Sequence, residues 1–218
     1  AAQMAEAVRR KELSPREIVE TVLERIDTLN PKLNAFYTIT AETAIEEAKR
    51  AEQAVAKGEP LGALHGVPVS FKDTMITKDV RTTLGSKIFE NNVPREDAPL
   101  VERLKGAGAV MLGKTTMPEF AWKGMTDSPL HGIARNPWNP DYTPGGSSGG
   151  ASAQVAAGMG PLAAGTDGAG SIRIPAAFTN LYGIKPTFGR VPVYPSSAFD
   201  ALSHAGPITR TVEDAALM

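Results

Sequence analysis

Residues 145–175 read GGSSGGASAQ (145–154), VAAGMGPLAA (155–164) and GTDGAGSIRIP (165–175). Inside this stretch PLAAGT (161–166) is a short apolar strand that runs into a glycine loop. The Ala-rich residues before it, 149–158, read as a helix, and Ser171 to Phe178 reads as the start of another. Upstream, Ser14-Pro15-Arg16-Glu17 is a helix start, with a capping-box pair and Pro at the first helical position. Ile18, Val19, Val22, Leu23, Ile26 and Leu29 follow at helical spacing, which predicts a helix over 15–29 ended by Asn30-Pro31. A strand over 35–40 and a charged helix over 41–57, closed by Gly58, come next. Val67, Val69 and Phe71 alternate as a strand with Lys72 at its carboxyl end. A helix over 97–107 and a buried strand over 109–114 complete the run. Helices alternate with short apolar strands, the pattern of an α/β sheet covered by helices.

The 218 residues are 42% hydrophobic and 22% charged, with a formal net charge of −1 and no Cys. That length suits one large domain with a real core. A nearly neutral chain offers no electrostatic case for direct contact with nucleic acid or an anionic membrane. Zero Cys removes disulfides and thiolate metal sites and fits a cytoplasmic protein. No apolar run approaches the ~18 residues of a membrane span. The opening AAQMAEAVRR lies inside a helical pattern and the closing TVEDAALM is about two turns old without a C-cap, so a fragment is expected.

Two serines in the Gly-rich stretch, Ser147 and Ser171, are wrapped in glycine, where a backbone can approach a ligand closely. A serine is a weak nucleophile until something takes its proton. Gly145-Gly146-Ser147-Ser148-Gly149 fits a nucleophile elbow, with Asp200 and His204 as partners in chain order. An elbow needs a strand immediately before it, and NPWNPDYTP (136–144) carries three prolines. A nucleotide loop is weaker still, because Pro161 falls where the helix of GMGPLA (158–163) should open.

The third arrangement uses Ser171 as nucleophile, Ser147 as relay and Lys72 as a neutral base. Lysine must be desolvated to serve as a base near neutrality, and the apolar run VPVSFK (67–72) supplies that. Asp73 is the objection, but its side chain is expected on the opposite face. Backbone N–H groups of Gly168, Ala169 and Gly170 converge ahead of Ser171 as an expected oxyanion hole. Such donors are worth about 2.7–4 kcal/mol each. Asp167 and Arg173 are expected to form an ion pair that fixes the turn. Trp122 is either a channel wall or core. His65, His131 and His204 are scattered, so no metal is expected, and no organic cofactor.

The segments GGSSGGASA (145–153), GTDGAGSIRIPAA (165–177), YGIKPTFGR (182–190) and VPVSFKD (67–73) together resemble the amidase signature family of serine hydrolases. RNPWN (135–139) and KTTMPEF (114–120) resemble it too. The resemblance implies an α/β fold with a mixed central β-sheet covered by helices on both faces. Residues 1–218 would be the N-terminal portion of one domain, its C-terminal half missing. It implies an amidohydrolase acting on linear amides through an acyl-Ser171 intermediate. Ser147, held by a cis peptide after Gly146, would relay the proton to Lys72, and Ser148 would support the network. A small-molecule amide would be the substrate, and a homodimer is an open expectation for assembly.

The family also contains the glutaminase A subunit of the tRNA-dependent amidotransferase, whose partners are two further subunits, glutamine and charged tRNA. The pattern of that protein differs at Ile174, where Gln is usual, at DALSHA (200–205) and at GMTDS (124–128). A stand-alone amidase is therefore the expectation, and the amidotransferase glutaminase is the alternative. A catalytically silent scaffold on the same fold is the remaining one.

Overall fold

The computed structural model describes the backbone of residues 1–218 and every side chain except that of Asp200, so the Asp200 side chain of the elbow reading lies outside what is described. Its first helices are α1 (Ala2–Arg9), α2 (Pro15–Leu33) and, after strand β1 (Phe36–Ile39), α3 (Ala41–Lys57). The capping box forms as read: Ser14 Oγ accepts from the Arg16 N–H at 3.0 Å while Glu17 accepts from the Ser14 N–H at 3.2 Å. α2 runs past Pro31, where an end was expected. Pro31 lies in the last turn, so the N–H it lacks would have met the carbonyl of Asp27, an exposed residue where solvent can take its place. The stop comes instead at Asn34 in the left-handed region, φ 50°. Asn30 Oδ1 then accepts from Ala35 and Phe36 at 2.9 and 2.8 Å, turning the chain directly into β1.

The chain continues as β2 (Pro68–Lys72), α4 (Pro99–Gly106), β3 (Val110–Thr115) and a two-residue hairpin, β4 (Asp127–Ser128) with β5 (Gly132–Ile133). It ends as α5 (Gly149–Ala156), β6 (Leu162–Asp167), α6 (Arg173–Phe178), β7 (Tyr182–Gly183), β8 (His204–Thr209) and α7 (Val212–Leu217). The main sheet has the order β1-β3-β2-β6-β8-β7. Its centre, β3-β2-β6, is parallel, and β1, β8 and β7 join antiparallel, giving the mixed sheet expected.

β8 is the longest of the strands that sequence reading missed, the others being the two-residue β4, β5 and β7. HAGPIT carries Gly and Pro, which argue against a strand. It pairs with β6 along its whole length, from Thr209 opposite Leu162 to His204 opposite Asp167. On its other edge β7 reaches only Thr209 and Ile208, so that ladder has already ended at Pro207.

One face of the sheet packs Val69, Phe71 and Met111 against Val101 and Leu104 of α4. On the other, Leu112 and Phe36 meet Val22 and Ile26 of α2 and Ala153 of α5. α5 is buried from Gly149 to Val155, and its small residues let it lie almost on the strands. A Cβ on Gly150 would sit 2.5 Å from the Ala35 carbonyl oxygen. This close docking sets Ser147 and Ser148, just ahead of α5, against the carboxyl ends of β2 and β6.

Candidate active site

Lys72 is the last residue of β2 and Asp167 the last of β6, its parallel neighbour. The carboxyl ends of parallel strands are where open α/β sheets take ligands. A loop approaches these ends through Gly145, φ 83°, and a cis peptide between Gly146 and Ser147. The strand that an elbow requires does not precede it: residues 136–144 hold only an isolated bridge between Asn136 and Asn139. The same segment braces the loop, because Asn136 Nδ2 donates to the Phe178 carbonyl at 3.0 Å and Trp138 Nε1 to the Thr179 carbonyl at 2.8 Å.

Lys72 is completely buried, and its Nζ donates to Ser147 Oγ at 2.6 Å and Thr166 Oγ1 at 2.8 Å. Burial pulls the lysine down to about 7, while the Asp167 carboxylate favours the charged form. Asp73 is turned away from it, with Oδ2 accepting from the Thr83 N–H and Oγ1 at 2.9 and 2.5 Å. A lysine balanced near neutrality can hold the neutral amine that takes a hydroxyl proton. None of the three histidines does this work. His65 contacts the Ala51 carbonyl, His204 the Leu202 carbonyl, and His131 lies against Thr83.

Ser147 and Ser171 line one cavity of about 540 Å³, together with Thr166, Gly168 and Ala169. The Ser171 carbonyl accepts from the Ser148 N–H at 3.1 Å, so the two serine loops are directly joined. Between them the turn is organised by Asp167. Its buried carboxylate accepts from the N–H groups of Gly170, Ile172 and Arg173 at 2.7, 3.1 and 3.3 Å. Arg173 adds a two-pronged ion pair at 3.0 Å on each oxygen. Burial pushes this carboxyl up, but the guanidinium and the three N–H donors outweigh it and hold it at about 2.

One expectation needs correction here. The N–H of Gly170 is given to Asp167, so it does not face the cavity as an oxyanion donor. Among the described residues no acceptor meets the N–H of Gly168, Ala169 or Ser171, and all three residues are on the cavity wall. Ser148 is not on that wall either. Its Oγ donates to the Thr166 carbonyl at 3.2 Å and accepts from the Thr166 N–H at 3.3 Å. Ser148 thus straps the serine loop to β6.

Sequence reading missed Thr166, although it stands in the quoted GTD triplet: two residues after Ala164 on a strand, its side chain shares a face with that residue. It also missed Thr126, whose Oγ1 donates to the Gly145 carbonyl at 2.9 Å and accepts from the Gly149 N–H at 3.1 Å. Nothing local in the sequence marks that long-range brace. Trp122 is 68% exposed and borders the cavity, as do Phe120, Ile174 and Leu202, so it is wall and not core. Among the described residues no group of three His, Cys, Asp or Glu side chains could hold a metal ion. Among the described residues no helix is long and apolar enough to cross a membrane.

The chain is 50% identical over 218 residues to the A subunit of the glutamyl-tRNA(Gln) amidotransferase of Pseudomonas aeruginosa, strain PAO1, covering 100% of this chain and 45% of that protein. Against its counterpart in Carboxydothermus hydrogenoformans identity is 46%, again over 100% of this chain and 45% of the relative. The chain therefore spans about half the length of the curated relatives it matches. The crystal structure of a bacterial aryl acylamidase of the amidase signature family superposes with a TM-score of 0.91 at 41% identity, over 98% of this chain and 45% of that one. The family model described as Amidase matches residues 17–218. With the helix-covered mixed sheet and the sequence segments above, this match places the chain in the amidase signature family.

Proposed function

We propose that this chain carries the hydrolytic centre of an amidase that cleaves a carboxamide C–N bond. The observation behind this reading is the buried contact of 2.6 Å from Lys72 Nζ to Ser147 Oγ on the wall of the cavity that Ser171 also lines. Ser171 Oγ attacks the amide carbonyl as its proton passes to Ser147, whose own proton goes to the neutral amine of Lys72. The carbonyl oxygen takes the negative charge and is held by the N–H groups of Gly168, Ala169 and Ser171. The lysine proton returns through Ser147 to the leaving nitrogen, the C–N bond breaks, and the acyl group remains on Ser171. Water, deprotonated along the same relay, then releases the acid. Residues 1–218 supply this machinery as the N-terminal portion of a longer domain.

Two substrates are in contention. A stand-alone amidase acting on a small neutral amide is supported by Ile174, an apolar residue on the wall of the cavity that Phe120 and Leu202 also line. An amidotransferase glutaminase is supported by the 46–50% identity to the A subunits of those enzymes. In that reading the partners are the other subunits and charged tRNA, and the substrate is glutamine. The test is amine release from a neutral anilide and ammonia release from glutamine, measured on the longest polypeptide that carries this sequence. Release from either one that disappears in Ser171→Ala supports the Ser171 reading, and the substrate cleaved decides between the two. Release that survives Ser171→Ala contradicts it.

A further inference from the structure

β2 and β3 are parallel neighbours, and each carries a completely buried lysine near its carboxyl end. Only Lys72 takes part in the relay. The register sets Lys114 beside Phe71 and Thr115 beside Lys72, so strand alternation sends the two lysines to opposite faces of the sheet. Lys114 Nζ reaches three acceptors: the Met75 carbonyl, Thr77 Oγ1 at 3.0 Å and Thr82 Oγ1 at 2.9 Å. Each hydroxyl has its own proton on a carbonyl, Thr77 on Met75 at 3.2 Å and Thr82 on Val80 at 3.0 Å. Both therefore meet Lys114 with a lone pair. Three acceptors match the three N–H bonds of an ammonium, and a neutral amine has one too few.

All three acceptors lie in the segment 73–84, which leaves β2 and contains neither helix nor strand. Its near end is tied to the base, since the Met75 N–H donates to the Lys72 carbonyl at 3.0 Å. On its front, Thr74, Met75 and Leu84 border the cavity that holds Ser147 and Ser171. On its back are Lys114 and the buried set of Asp73, Thr83 and His131, in which Thr83 Oγ1 lies 2.8 Å from His131 Nε2. Lys114 itself does not border the cavity.

We infer that Lys114, as its ammonium, is a positioning residue that fixes segment 73–84 as a wall of the cavity and so governs how tightly a substrate is held. The inference rests on the Ser171 reading above. Four influences bear on its proton. Burial and Lys105 oppose the charge, Asp73 and Asp97 favour it, and burial dominates, bringing the group down to about 8. Above that pH the amine lacks a donor for one acceptor, and the wall loses a tether.

The test uses an alkyl fluorophosphonate, which reports holding as KI and chemistry as kinact without knowledge of the natural substrate. It is applied from pH 6 to 9.5 to the longest polypeptide that carries residues 1–218, as wild type, Thr82→Val and Lys114→Met. In the wild type KI rises above about pH 8. In Thr82→Val KI is about threefold higher at pH 7 and its rise begins at lower pH, because the ammonium has lost an acceptor. In Lys114→Met KI is high and independent of pH, and kinact stays within about twofold in both variants. If Lys114→Met does not fold, the wild-type profile and Thr82→Val carry the test. A KI that is flat with pH and unmoved by Thr82→Val, with Ser171 still labelled, overturns the inference alone and leaves Lys114 a purely structural residue. Failure to label Ser171 in the wild type overturns the Ser171 reading, and the inference with it.

Discussion

The role proposed for Lys72 rests on its burial. Loss of solvent disfavours the ammonium, so a group that ordinarily titrates near 10.5 comes down to about 7. On the proposed mechanism the active form is the neutral amine, so kcat/KM is expected to rise as pH passes through about 7, before the weaker holding inferred for neutral Lys114 sets in above about 8. A profile flat from pH 6 to 9 contradicts lysine as the base. Lys72→Ala removes the proposed proton acceptor and is expected to lower kcat/KM by about 10²–10⁴. Ser171→Ala removes the proposed nucleophile and is expected to cost on the order of 10⁵–10⁶ in kcat, with an unchanged far-ultraviolet circular dichroism spectrum. The lysine and both serines were legible in the sequence because each stands in a segment whose composition is unusual, a glycine loop or the end of an apolar run. The fate of individual N–H groups was not legible. That Gly170 donates to Asp167, and that Ser148 straps β6, depends on turn geometry that composition does not specify.

Between β6 and α6 the turn is held from inside by Asp167, and its two kinds of partner are of unequal worth. Asp167→Ala strips the acceptor from three backbone N–H groups and is expected to destabilise by roughly 3 kcal/mol or more. Arg173 is 53% exposed at its side chain, so Arg173→Gln is expected to cost under about 1 kcal/mol. Denaturant midpoints for the pair check the ranking, and equal losses contradict it. α5 adds a steric prediction: Gly150→Ala places a methyl 2.5 Å from a backbone oxygen and is expected to cost about 1–3 kcal/mol, although Ala favours helices. Periodicity and caps located α2, α3, β2, β3 and β6 because each has a clear start, stop or apolar rhythm. β8 escaped because its Gly206 and Pro207 read as a turn, while pairing with β6 along its length decides the matter. The end of α2 moved past Pro31 because a proline in a last turn removes only a bond that water replaces.

At the scale of the whole molecule, two buried lysines bear on stability. Both titrate in the folded chain below their ordinary value of 10.5, Lys72 at about 7 and Lys114 at about 8. Between these values and 10.5 the unfolded chain binds more protons than the folded one, so stability rises with pH across that window; below it both states are protonated and the cost of the buried charge is constant. Lys72→Met is expected to flatten the rise in denaturant midpoint between pH 7 and 10, and equal slopes for variant and wild type contradict the burial effect. The sheet directs all this to one place: the carboxyl ends of β2 and β6 deliver Lys72 and Thr166 to the loop that holds Ser147, beside the turn that holds Ser171. The most direct measurement is peptide mapping by mass spectrometry after treatment with a fluorophosphonate. The expected adduct is on Ser171, forms faster as pH rises through about 7 and is absent from Ser171→Ala. An adduct on Ser147 in place of Ser171, or none at all, would contradict the assignment of Ser171 as nucleophile and Lys72 as base.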